Sequence, residues 1–99
     1  MMADDVAVQH DETAGRFAIR LQGAEAFLSY RRSGQAIDLY HTYVPEVFRG
    51  RGLAEHLCRA AFEYAKANRL TVIPSCPYIG STYLKRHPEY LPLTNGAAA

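Results

Sequence analysis

The sequence predicts a mixed α+β fold: antiparallel strands leading into one parallel β-α-β unit, with a short helix at the end. Three observations predict it. Residues 16–44 alternate apolar and polar positions in short runs broken by turn residues, as half-buried strands do. Residues 52–68 switch to helical spacing. Residues 70–76, LTVIPSC, are a short apolar run stopped by a proline, as in a buried strand. A strand, a helix of about 16 residues and a second strand imply a parallel pair joined by a right-handed crossover.

In chain order, AVQHD is a weak first strand. RFAIRL (16–21) is clearer: Phe17, Ile19 and Leu21 alternate with polar neighbours, and Ala14-Gly15 supplies a turn before them. AFLSYRR (26–32) follows, and SGQ (33–35) turns the chain. AIDLYHTYV (36–44) is the strongest strand, rich in β-branched and aromatic residues, and Pro45 ends it. Strict alternation puts Ile37, Leu39, His41 and Tyr43 on one face. Asp38, Tyr40, Thr42 and Val44 share the other. From Gly52 to Asn68, Leu53, Leu57, Ala61 and Tyr64 form an apolar stripe, with Ala54, Cys58, Phe62 and Ala65 beside it. Arg51, Glu55, Arg59, Glu63 and Lys66 fall largely opposite. After Cys76 one short helix fits at about 80–86, ended by Pro88. Residues 1–5 and 95–99 read as frayed ends.

A chain of 99 residues predicts one domain, with a core over about 6–93, room for one site, and a monomer. A net charge of +1 argues against nucleic acid or an anionic membrane as a direct partner. No apolar run approaches the roughly 20 residues of a membrane span. The acidic start lacks a secretory signal, so the expected location is intracellular, cytoplasmic or nuclear. Cys58 and Cys76 are then expected to be free thiols, and Cys58 to pack on the apolar helix face. No metal-ligand spacing is present.

Arg49-Gly50-Arg51-Gly52 is a poor way to start a helix. Each glycine lowers helix propensity by roughly 1 kcal/mol. The arginines put cations where the helix dipole favours anions. Both features make sense if an anion completes the site. Unpaired N–H groups point outward there, glycines let a ligand reach the backbone, and arginines fork onto phosphate. The spacing fits neither a P-loop nor a dinucleotide fingerprint.

RGRGLA at 49–54 resembles the R/Q-x-x-G-x-G/A signature of the GNAT acyltransferases, between a strand and a long helix as in that family. DLYHTYVPEVFRGRGLAEHLC and IPSCPYI look like plant members of a minimal GNAT branch of about 90–110 residues, and this likeness spans most of the chain. The resemblance implies a truncated GNAT-like fold in which the strands at 37–44 and 71–75 splay apart. It implies that Arg49, Gly50, Arg51, Gly52, Leu53 and Ala54 hold the pyrophosphate of acetyl-CoA or coenzyme A. Thr42, Tyr43 and Val44 would then contact the cofactor in the cleft. The helices between the first two strands and the final strand pair of larger GNATs have no counterpart here.

Acyl transfer to an amine needs a base, an oxyanion donor and an acid for the leaving thiolate. Cys76 ends the second parallel strand and could carry the acetyl group; His41, on the flanking strand, could serve as base or activate the thiol. Asp38 is the alternative base. Tyr83 is the expected cofactor-side acid by resemblance, with Tyr78 the other choice. Ser81 and Arg86 could reach cofactor phosphate. His10, His56 and His87 read as surface residues. The expected function is an acetyl-CoA-dependent N-acetyltransferase acting on a protein lysine, such as those of histone tails, or on a small amine. The alternative is a coenzyme A or acyl-CoA binder without catalysis.

Overall fold

The computed structural model describes residues 7–94; both expected frayed ends, 1–5 and 95–99, lie outside the described residues. The strands are β1 (Gln9–Asp11), β2 (Arg16–Leu21), β3 (Ala24–Ser33), β4 (Ala36–Tyr43) and β5 (Thr71–Ile73). They form one sheet in sequence order. The first four are antiparallel neighbours, and β5 runs parallel to β4. The crossover from β4 to β5 is the helix α1 (Leu53–Ala67). A π-helical turn at Ile79–Tyr83 runs into α2 (Leu84–Arg86). A 3₁₀ turn at Pro88–Tyr90 and α3 (Leu91–Thr94) follow. The mixed α+β architecture is therefore as expected. The chain does not stop its regular structure at Pro88, however: the helix ends there, and α3 packs along β5 and α1. Among the described residues no helix is long and apolar enough to cross a membrane.

The core lies between one sheet face and α1. Leu57, Cys58, Ala61, Phe62 and Ala65 of the helix are fully buried against Ile19, Leu28, Ile37 and Leu39. These are the apolar stripes of the sequence. Burying each large apolar side chain is worth about 1.5–3 kcal/mol, so this seam outweighs any local preference. Asn68 caps the helix and its side-chain amide donates to the Tyr64 carbonyl at 2.8 Å. Arg69 then takes a left-handed φ of 56°, and Leu70 N–H donates back to the Ala65 carbonyl.

Strict alternation fails along β4. Ser29 pairs with His41, but Tyr30 pairs with Leu39, so Tyr40 is an extra, bulged residue. Before the bulge Ile37 and Leu39 face the helix and are fully buried. After it Thr42 faces that side, opposite the buried Leu28, while His41 and Tyr43 turn to the open face. The expected shared face of Ile37, Leu39, His41 and Tyr43 is thus wrong beyond residue 39. The parallel ladder is also shorter than the sequence suggests. It ends at Asp38 and Ile73, because Pro74 has no N–H to continue it. The chain touches β4 once more, through Cys76 N–H to the Leu39 carbonyl at 2.9 Å. Beyond that bond no backbone hydrogen bond joins the two segments.

Candidate active site

A cleft of about 420 Å³ lies between the end of β4, the loop at 49–52 and the start of α1. Pro45 begins a 3₁₀ turn, Glu46–Phe48, that delivers the chain to Arg49. The Arg49 side chain folds back and donates from Nε to the Val44 carbonyl at 2.9 Å. Gly50 and Gly52 have φ of 86° and 76°, values that only glycine adopts without strain. A Cβ on either would meet no protein atom within 4 Å, so the space over both is open. Gly52 is the N-cap and supplies no side-chain cap. The first helical bond runs from His56 N–H to the Gly52 carbonyl. The N–H groups of Gly50, Arg51, Gly52, Leu53, Ala54 and Glu55 donate to no protein acceptor. That row of free donors, at the positive end of a helix, is suited to an anion.

Of the residues singled out from the sequence, Thr42, Tyr43, Val44, Arg49, Gly50, Gly52, Leu53 and Ala54 all line the cleft. Arg51 does not; its guanidinium lies over the Phe48 ring, 5.1 Å from the centroid. Cys76 is buried beside the cleft floor, with Sγ 3.4 Å from Thr42 Oγ1. Both cysteines are free thiols, and burial holds Cys58 far above the ordinary thiol range. His41 is not brought to Cys76. The bulge places it on the open sheet face, exposed and against Phe27, with ring centroids 5.8 Å apart. Asp38, opposite Arg31 in the register, is on that face too, and its Oδ1 is buried without a hydrogen-bond partner.

Tyr83 is not a cleft residue. It is a fully buried core side chain stacked on Phe62, with centroids 5.6 Å apart. Of Tyr78 and Tyr83, the one that lines the cleft is Tyr78. Burial, then the neighbouring Cys58 thiol and Glu55 carboxylate, push its hydroxyl up to about 12. It therefore stays protonated and able to donate. Glu55, expected on the solvent face, instead lines the cleft together with Arg86. Glu55 Oε2 accepts from Arg86 at 2.6 Å and Oε1 lies 2.8 Å from His87 Nε2. Burial raises the Glu55 carboxyl, but the bonds from His87 and Arg86 outweigh it and hold the group below its usual range. Nor are His10 and His87 plain surface residues. His10 stacks on Phe17 at 4.0 Å and bonds Tyr30 at 2.5 Å; His87 packs on Tyr83 at 4.4 Å. Bonds such as His10–Tyr30 and His87–Glu55, across 20 and 32 residues of sequence, leave no local signal.

Residues 16–93 match the family model described as GCN5-related N-acetyl-transferase. The proteins called NATD1 from Xenopus tropicalis and Homo sapiens are 38% and 40% identical to the chain. The matches cover 90% and 87% of this chain, and 85% and 80% of those proteins. These NATD1 relatives are animal proteins, and the narrower likeness to plant members is not supported. The solution structure of a GCN5-like protein from Staphylococcus aureus superposes with a TM-score of 0.67 at 27% identity, covering 86% of this chain and 83% of that one. The chain belongs to the GCN5-related N-acetyltransferase family.

Proposed function

We propose that this chain binds acetyl-CoA in the cleft and transfers its acetyl group to an amine. The observation that carries the reading is the row of free N–H groups from Gly50 to Glu55, opening into the cleft beside two glycines of positive φ. The pyrophosphate would complete those donors, and the pantetheine arm would run between β4 and β5. In the transfer, the amine nitrogen attacks the thioester carbonyl. The C–S bond breaks, a base takes the proton lost by the nitrogen, and the sulfur leaves as thiolate. Tyr78, protonated at the cleft, is the donor that meets the thiolate.

The helix side of the cleft is filled by α1, so the acceptor approaches over the open sheet face. Asp38 and His41 both stand there and are the two base candidates. Direct attack is the favoured route. Cys76 has Thr42 beside it, and among the described residues no base is hydrogen-bonded to its thiol. The acceptor is an amine of a protein or a small molecule.

A titration of the labelled chain with coenzyme A, followed by thioester turnover with a panel of amines, tests the reading. Amide shifts at Arg49–Ala54 with turnover support it, and the absence of both would falsify it. Shifts without turnover against any amine would favour the binder, a reading for which the separation of His41 from Cys76 speaks. Activity retained in Cys76→Ala, with no acetyl adduct by intact mass, establishes direct attack.

A further inference from the structure

A carboxylate is out of place in a cleft built for an anion, yet Glu55 lines it, at the third position of α1 beside the free N–H row. Left alone it would repel a pyrophosphate. It is not left alone: each of its oxygens faces a cationic or basic group from the C-terminal segment. The two partners differ in freedom. The Arg86 side chain is 61% exposed and itself lines the cleft. The His87 side chain is half as exposed, at 31%, and its ring is packed on Tyr83. One partner can leave; the other is held.

Resting on the coenzyme A reading above, we propose that Glu55, Arg86 and His87 form an exchangeable charge clamp. Arg86 leaves Glu55 for a phosphate of the incoming ligand, and His87 stays as the partner that Glu55 keeps. Guanidinium forks onto phosphate as readily as onto carboxylate, so the exchange conserves the bonding of Arg86. His87 is placed for its part. Nε2 faces Glu55 at 2.8 Å and Nδ1 faces Glu89 at 3.4 Å. The other titratable groups around it are His56 and Arg59 from α1, and Tyr83 and Tyr90 from its own segment. The Tyr90 hydroxyl is already donated to Glu63 at 2.7 Å, so it does not compete for Glu55.

Calorimetric titration of the full chain with coenzyme A at pH 7 reads Kd. Arg86→Gln should weaken binding by about tenfold. Glu55→Gln should tighten it by about threefold, because Arg86 is then free in advance. His87→Gln should weaken it by about threefold, because Glu55 then holds Arg86 more firmly. A Glu55→Gln variant that folds but binds more weakly or unchanged overturns the clamp, and so does an Arg86→Gln variant without effect. If Glu55→Gln does not fold, Arg86→Gln and His87→Gln decide: unchanged affinity in both overturns the proposal. Wild type whose Arg49–Ala54 amides ignore coenzyme A would overturn the underlying reading, and the clamp with it.

Discussion

The two ends of α1 obey opposite rules. At its C-terminal half, Tyr64 donates to Glu12 at 2.9 Å and accepts from Arg32 at 2.9 Å. His10 bonds Tyr30 and stacks on Phe17, closing the cluster with β1. Each of these polar side chains has a partner. At the N-terminal end six consecutive N–H groups have none, and two glycines hold positive φ. One end maximises pairing; the other keeps its donors free. Every helix leaves its first N–H groups unpaired, but here two glycines extend the row and leave open space above it, which points to a ligand.

Breaking the paired end should damage stability and spare the cleft. Phe17 is buried under His10 and near Tyr64. Phe17→Ala is expected to cost about 3–5 kcal/mol, the range for truncating a buried aromatic. Thermal melting should register this as a larger drop than any substitution at the cleft end produces. The rise in melting temperature on adding coenzyme A should remain, because Phe17 does not line the cleft.

The unpaired end should give the converse. Gly52→Val places a β-branched residue at φ 76°, which costs about 1–2 kcal/mol of apo stability. Its Cβ meets no protein atom, but it projects into the space the ligand would fill. Coenzyme A at 100 times Kd stabilises a protein by about 2.7 kcal/mol, and that increment should vanish in the variant. A Gly52→Val protein that still melts higher with coenzyme A would remove the phosphate reading of this loop.

What is legible in the sequence follows the same divide. Period and stripe reveal β2, β3, α1 and the core, because burial dictates apolar spacing. The glycine-arginine loop announces the anion site, because it breaks a local rule without local benefit. Alternation alone does not reveal the Tyr40 bulge, nor the side on which His41 stands. A period of two cannot see one inserted residue. The signal is a change of parity: Ile37 and Leu39 are inward at odd positions, then Thr42 and Val44 at even ones. Nothing local separates Tyr83, a core tyrosine, from Tyr78, a cleft one. The Glu55–Arg86–His87 set joins residues 31 and 32 positions apart, which only the fold brings together.

Thr42→Val sharpens the comparison within the cleft end. The bulge aims Thr42 at Cys76, and removing its hydroxyl deletes one polar contact at nearly constant volume. Stability should change by less than about 1.5 kcal/mol, the net worth of a neutral hydrogen bond. Alkylation of Cys76, followed by peptide mass spectrometry, should slow by about twofold or more if the hydroxyl donates to the developing thiolate. An unchanged rate would mean that the thiol donates instead, and that Thr42 does not assist Cys76.

The smallest effect lies at the paired end, in its pH dependence. Burial lowers the pKa of His10 below its usual 6.5, and the charges of Glu12 and Asp11 only partly offset this. Tyr30 is raised, chiefly by its own burial, so its hydroxyl stays protonated and donates to neutral His10. A histidine whose folded pKa is depressed adds stability above its unfolded pKa. That stability is lost as pH falls through 6.5 towards the folded value. Melting temperatures from about pH 8 to about pH 5.5 should therefore decline more in the wild type than in His10→Gln, which has no proton to take up there. Glu55 does not confuse the window, because its carboxyl is held below 4.5 and its contribution disappears only at lower pH. Protonation would cost the ring its acceptor nitrogen, so β1, three residues long and held at the sheet edge, should be the first element whose amides lose protection. Equal slopes for the two proteins would show that the His10 cluster is paired in geometry but not in energy.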